Sequence, residues 1–331
     1  MQWSGFGLLR GSTKNEAVPL KSDALTAQLQ LGIDWRPSMS FGSHVHLLAR
    51  NDDDRAKRGR VGVVEAYLDQ NVVRGEHRLR LMEGAFFLPT SRENVDALWE
   101  SPYTITPSAL NSWLGEEFRP IGIDAAYTLR RTWTAGLTAF RGNDTFGAFP
   151  AVRGWALRDY WAVLGEHMPV KDDFTSVSAE TDHRIGWAAR GRWNNDHATL
   201  QATWIDNRAD AQQHGELLNW ATRFYIVGGD YRMGDWTAAA ESGWGRTSVI
   251  FGGVRYPTDI RASYVLLSRR LAGGRASLRA DAFQSDVTHR HAITAAYFFA
   301  PRGPLRIGVE GIVSGGQNRV SLELRYNFAG R

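Results

Sequence analysis

The chain has no cysteine among its 331 residues, which rules out disulfides and thiolate metal sites. It also lacks any apolar stretch near the roughly 20 residues that a membrane helix needs, and its mean hydropathy is −0.35. A helical membrane protein is excluded. A β-barrel is not, because each of its strands gives only every second residue to lipid. Excess charge of one sign is missing too: 39 basic residues stand against 35 acidic ones, a net charge of +4, too even to point to nucleic acid. No Gly-x-Ser-x-Gly elbow, His-Glu-x-x-His helix or phosphate loop occurs, so neither an enzyme nor a cofactor is expected. Internal repeats and low-complexity linkers are missing as well, which leaves one domain over residues 1–331. No secretory leader precedes Gln2-Trp3-Ser4, so the chain reads as a mature form carrying a replacement Met1.

What is present is alternation. Residues 319–328 put Val320, Leu322, Leu324, Tyr326 and Phe328 on one face and Ser321, Glu323, Arg325 and Asn327 on the other. Residues 121–129 repeat the pattern with Ile121, Ile123, Tyr127 and Leu129 against Gly122, Asp124 and Thr128. Residues 185–193 do the same with Trp187, Ala189 and Trp193 against Ala188, Arg190 and Arg192, and similar runs cover 23–35 and 305–313. A period of 2 gathers the charges on one side, whereas a helical period of 3.6 would scatter them. About sixteen such runs fit between Gln2 and Phe328, an even number typical of single-chain outer-membrane barrels.

The connectors alternate between short and long. Short ones fall at 37–38, 72–76, 130–131, 194–196, 233–235, 272–274 and 301–303, and long ones at 11–22, 51–60, 88–120, 142–182, 207–218 and 248–258. Short periplasmic turns and long external loops describe an antiparallel up-and-down transmembrane barrel. Trp35, Tyr127, Trp133, Trp193, Trp236, Tyr326 and Phe328 all fall near the short-turn end, where a membrane-interface girdle belongs. Phe87, Trp204 and Trp244 fall near the other end. A soluble β-sandwich permits the alternation but does not gather aromatics at turn-proximal ends.

Sixteen tilted strands enclose an aqueous lumen, so passage of solutes is the expected function. Residues 88–120 are the candidate constriction, carrying Arg92, Glu93, Asp96, Glu100, Glu116 and Glu117 on a segment too long for a simple tip. The lumen wall is expected to include Arg78, Arg80, Asp124, Arg190, Arg192, Arg261, Arg279, Arg306, Glu323 and Arg325. An acidic loop opposite arginines would make a transverse field, though opposed charges on adjacent strands more often pair for stability. His44 and His46 face the same way, but without a third ligand they read as lumen residues and no metal is expected.

The run LMEGAFFLPTSREN, with Gly84, Phe86, Phe87, Pro89, Glu93, Asn94 and the later Gly122, resembles porins related to the phosphate-selective porin group. The terminal LELRYNF resembles the assembly signal of outer-membrane barrels, although Ala329-Gly330-Arg331 follows its final aromatic. The resemblance implies a sixteen-stranded porin, often trimeric, in the outer membrane of a Gram-negative bacterium. Phosphate selectivity is not carried over, because in that group it rests on lysine and arginine ladders converging on an inward loop, whereas this loop is acidic and the wall mixed. The function expected is passive diffusion of small hydrophilic solutes or ions. The alternative is a structural barrel acting as sheath or docking partner for another protein, its lumen plugged by residues 142–182 or by that partner.

Overall fold

The computed structural model describes residues 1–13, 25–51, 60–170, 173–315 and 317–330. Sixteen antiparallel strands close into one barrel: Gln2–Ser12 (β1), Leu25–Trp35 (β2), Phe41–Arg50 (β3), Val61–Arg74 (β4), His77–Ala85 (β5), Ile121–Leu129 (β6), Trp133–Arg141 (β7), Gly186–Asn194 (β8), Ala198–Asp206 (β9), Ala221–Met233 (β10), Trp236–Phe251 (β11), Val254–Leu271 (β12), Gly274–Gln284 (β13), His289–Phe299 (β14), Leu305–Ser314 (β15) and Gln317–Gly330 (β16). Each strand pairs with its neighbours in sequence, and β1 closes on β16 with Gly5 opposite Phe328 and Trp3 opposite Gly330. Closure leaves no strand edge unpaired. Ala329 and Gly330 are therefore part of the closing strand. Arg331 and most of the expected loops at 11–22 and 51–60 lie outside the described residues.

Alternation along the strands sorts side chains between lipid and lumen. On β16, Leu322, Leu324 and Tyr326 are exposed while Ser321, Glu323 and Arg325 are buried. The outer surface carries exposed Leu29, Leu79, Ile123, Leu137, Leu200, Val227, Val265, Leu278, Ile293 and Val320. So broad an apolar belt suits hydrocarbon and not water. Trp35, Tyr127, Trp133, Trp236 and Tyr326 are exposed at the short-turn end. Trp193 lies across from Trp133 with ring centroids 6.4 Å apart, and Phe328 packs on Trp3. At the opposite end Tyr225 and Trp244 stack outside, but Phe87 is buried and belongs to the interior.

Two local features depart from the sequence expectation. The connector expected at 248–258 is mostly strand, since β11 and β12 pair as far as Phe251 opposite Val254. Gly252 and Gly253, both at positive φ, supply the tight reversal that glycine allows. On β4, a bulge opposite His46 and Leu47 turns both Val64 and Glu65 inward, where they are buried.

Candidate functional site: the lumen and its two inward loops

Residues 86–120 leave β5 and cross the lumen. Their one α-helix is Ala109–Glu117 (α1), started by Ser108, whose side chain accepts from the Asn111 N–H. All nine helical residues are buried, polar ones included, so the helix is encased by protein instead of lying on a surface. Polar groups on the wall satisfy the segment from several sides. Glu310 accepts from the N–H groups of Ile105 and Thr106, Asp281 from Ala109 and Glu65 from Phe87. Gln201 donates to the carbonyls of Pro89 and Thr90.

The second long connector also turns inward. The expectation of an external loop at 142–182 is corrected by the burial of Phe146, Phe149, Trp155, Trp161 and Val163. Trp113 of α1 stacks on Phe146 with centroids 4.5 Å apart and meets Trp155 and Phe224 edge-on. Gly115 lets the loops approach closely, because a Cβ there would stand 2.3 Å from the Trp161 ring. The wall contributes Phe140, Ile226, Ile260, Phe283 and Ile312 to the same cluster. Among the described residues this part of the lumen is packed like a protein core. The signal available in the sequence was the aromatic content of 142–182, which a solvated loop does not need.

Apart from Asp96, the acidic residues expected to shape a field are instead paired. Arg279, fully buried, donates to Glu93 at 2.6 Å, to Asp281 at 2.7 Å and to the Thr106 carbonyl at 2.7 Å. Glu93 also accepts from Ser108 and Asn111. Arg325 bridges Glu100 and Glu323, and Glu323 further takes Arg306 at 3.0 Å and Arg10 at 2.5 Å. Arg10 continues to Asp159 of the second loop. Glu116 is held by Arg153 and Arg158 of that loop. Glu117 accepts from the Trp113 indole and the Phe149 N–H, and burial pushes its carboxyl up to about 7. A transverse field from this loop is thereby largely cancelled.

The remaining expected wall residues divide. Arg80 pairs with Asp69, Arg190 takes Asp124 with both oxygens, and Arg78 donates to Asn71. Arg192 reaches only Thr134, at 3.5 Å. Arg92 stands 3.6 Å from Asp230, and Asp96 is exposed, with partial desolvation raising its carboxyl pKa. Arg261 is corrected: it sits on the outer face between inward Ile260 and Ala262, opposite Trp244. His46 is buried against Gln30 and Glu65, and His44 meets Asp34. Asp144, Glu180 and Asp182 bring carboxylate oxygens within 4.8 Å of one another, but Asp144 already accepts from Thr181 and Asp182.

Open space survives beneath residues 89–99, on the β2–β9 side. A polar cavity of about 720 Å³ is bounded by Asp34, His44, Tyr67, Arg80, Arg192 and Asn194. Asn194 ends β8 next to a short turn, so the cavity extends toward the short-turn end.

No family model and no curated protein matches the chain. Solved structures do match over nearly its whole length. The outer-membrane channel DcaP of Acinetobacter baumannii is 14% identical with a TM-score of 0.64, covering 98% of this chain and 96% of its own. A loop-deletion form of OmpT, an outer-membrane protein of Vibrio cholerae, is 10% identical with a TM-score of 0.60, covering 99% of each chain. Salmonella typhi OmpF, in complex with daunomycin, is 12% identical with a TM-score of 0.60 and covers 98% and 97%. The chain thus has the sixteen-stranded fold of outer-membrane porins.

Proposed function

We propose that this chain is an outer-membrane porin of a Gram-negative bacterium, giving small hydrophilic solutes or ions a passive route along the arginine-lined side of its lumen. The observation that carries this reading is the polar cavity of about 720 Å³ inside a closed barrel with an apolar belt. Polar walls in a low-dielectric frame admit charged solutes that lipid rejects. Purified protein in planar bilayers is expected to give discrete conductance steps, and their absence would sink the proposal.

A second reading, a structural barrel that serves as sheath or docking partner, is favoured by the aromatic core filling much of the rest of the lumen. It predicts negligible conductance together with a stoichiometric copurifying protein.

A homotrimer is also proposed. Glu83 faces outward on β5, four residues beyond Leu79, the partner of girdle residue Tyr127. A carboxylate at that depth is better covered by another subunit than by lipid. Native mass near three copies for wild type, falling to one in Glu83→Lys, is the expected outcome.

A further inference from the structure

The polar cavity adjoins a narrow recess with an uneven charge. About 140 Å³ in volume, it is lined by Arg78, Arg80, Arg190 and Arg192 against the single acid Asp124. Two of the four guanidiniums are neutralised, Arg80 by Asp69 and Arg190 by Asp124. The other two are not. Arg78 donates only to the Asn71 carboxamide, and the buried Nε of Arg192 has no partner. Among the described residues neither has a carboxylate in ion-pair contact. Arg92 adds like charge nearby, and it repels Arg192 together with Arg78 and Arg190, against the attraction of Asp230 alone. In the adjoining cavity both polar atoms of the buried Asn94 carboxamide lack partners as well. Half-buried Arg192 without a carboxylate, exposed Arg78 beside it and the unpartnered Asn94 N–H together call for an anion.

We propose that this recess binds one small carboxylate solute entering from the periplasmic end. A cavity of about 150 Å³ takes a benzene molecule, so the recess suits an acid of three or four carbons. Arg192, whose fork meets only the Thr134 hydroxyl at 3.5 Å among the described residues, supplies the bidentate contact that a planar carboxylate matches. Arg78 supplies the second charge. The substrate class rests on the channel reading, while binding itself does not.

Titration calorimetry of detergent-solubilised protein with succinate tests the site. Saturable one-to-one binding is expected, weakened at least about tenfold in Arg192→Gln and in Arg78→Gln. Asp124→Asn, which frees Arg190, should tighten binding, a gain that misfolding cannot produce. Circular dichroism checks that each variant keeps its β-sheet signal. Equal affinity in wild type and Arg192→Gln, or no tightening in folded Asp124→Asn, overturns the site. Inorganic phosphate binding as tightly as succinate overturns its assignment to carboxylates. Conductance without succinate binding leaves the channel reading and removes the site. Binding without conductance keeps the site and removes the channel reading.

Discussion

The two sides of the lumen are walled by similar strands and end in opposite states. Along β11 to β16, Glu241, Tyr264, Arg279, Asp281, Glu310, Glu323 and Arg325 are all buried beneath the two inward loops. Along β2 to β9, Asp34, His44, Arg80 and Arg192 border open space. On the filled side the wall charges pair with the loops or with one another, so charge serves packing. On the open side the arginines outnumber the acids that could pair them, leaving charge available to a solute. Lining charge alone therefore does not identify a pathway, because pairing decides whether it faces a solute or a loop.

The largest disruption of this contrast is expected from Arg279→Met. It strands Glu93 and Asp281 without their cation, and breaking a buried pair in this way costs about 3–5 kcal/mol. The thermal midpoint should fall, residues 88–120 should become cleavable by protease, and conductance should rise. Trp113→Ala removes the ring joining both loops to Phe224, a cavity worth about 3–5 kcal/mol. Because the ion pairs remain, a larger mean conductance with less loss of barrel stability is expected in bilayers.

Acidity should act in the opposite direction. Burial raises Glu117 from 4.5 to about 7 and Asp144 from 3.8 to about 6. A carboxyl whose folded value is raised stabilises its packing most below the ordinary value and loses that contribution as pH climbs through the raised one. The contribution of these two carboxyls to loop packing is thus lost between about pH 4 and about pH 7, and conductance should grow over that range. Glu117→Gln should flatten the upper part of that profile, as read from current at a series of pH values. The smallest effect is expected from Glu76→Gln, since the Glu76–Arg130 pair is exposed on both sides. The change in midpoint should stay within about 1 kcal/mol equivalent.

The strands were legible because lipid and lumen impose a period of 2 on nearly every run. That rule fails on β12 for a physical reason. Its inner residues Ile260, Ala262, Tyr264 and Leu266 pack on the loops or bury with them, so the inner face is apolar. Outside, Asp259 and Arg261 are exposed on the same strand, so polarity points the wrong way and Arg261 is read onto the inner face. The inward course of residues 88–120 was argued from length and composition, but its pairing with Arg279 and Arg325 joins positions far apart in the chain. No local pattern carries such contacts. The inward course of residues 142–182 is signalled in the sequence only by Phe146, Phe149, Trp155 and Trp161, apolar area that needs cover.

The central claim is that the route follows the arginine side, and the chain's lack of cysteine makes a clean test available. A membrane-impermeant, charged thiol reagent is applied to bilayer-inserted Thr134→Cys, beside Arg192, and to Thr294→Cys, fully buried on the filled side. The account predicts a stepwise fall in current for Thr134→Cys and none for Thr294→Cys. Block at Thr294→Cys with an unaffected Thr134→Cys would contradict it.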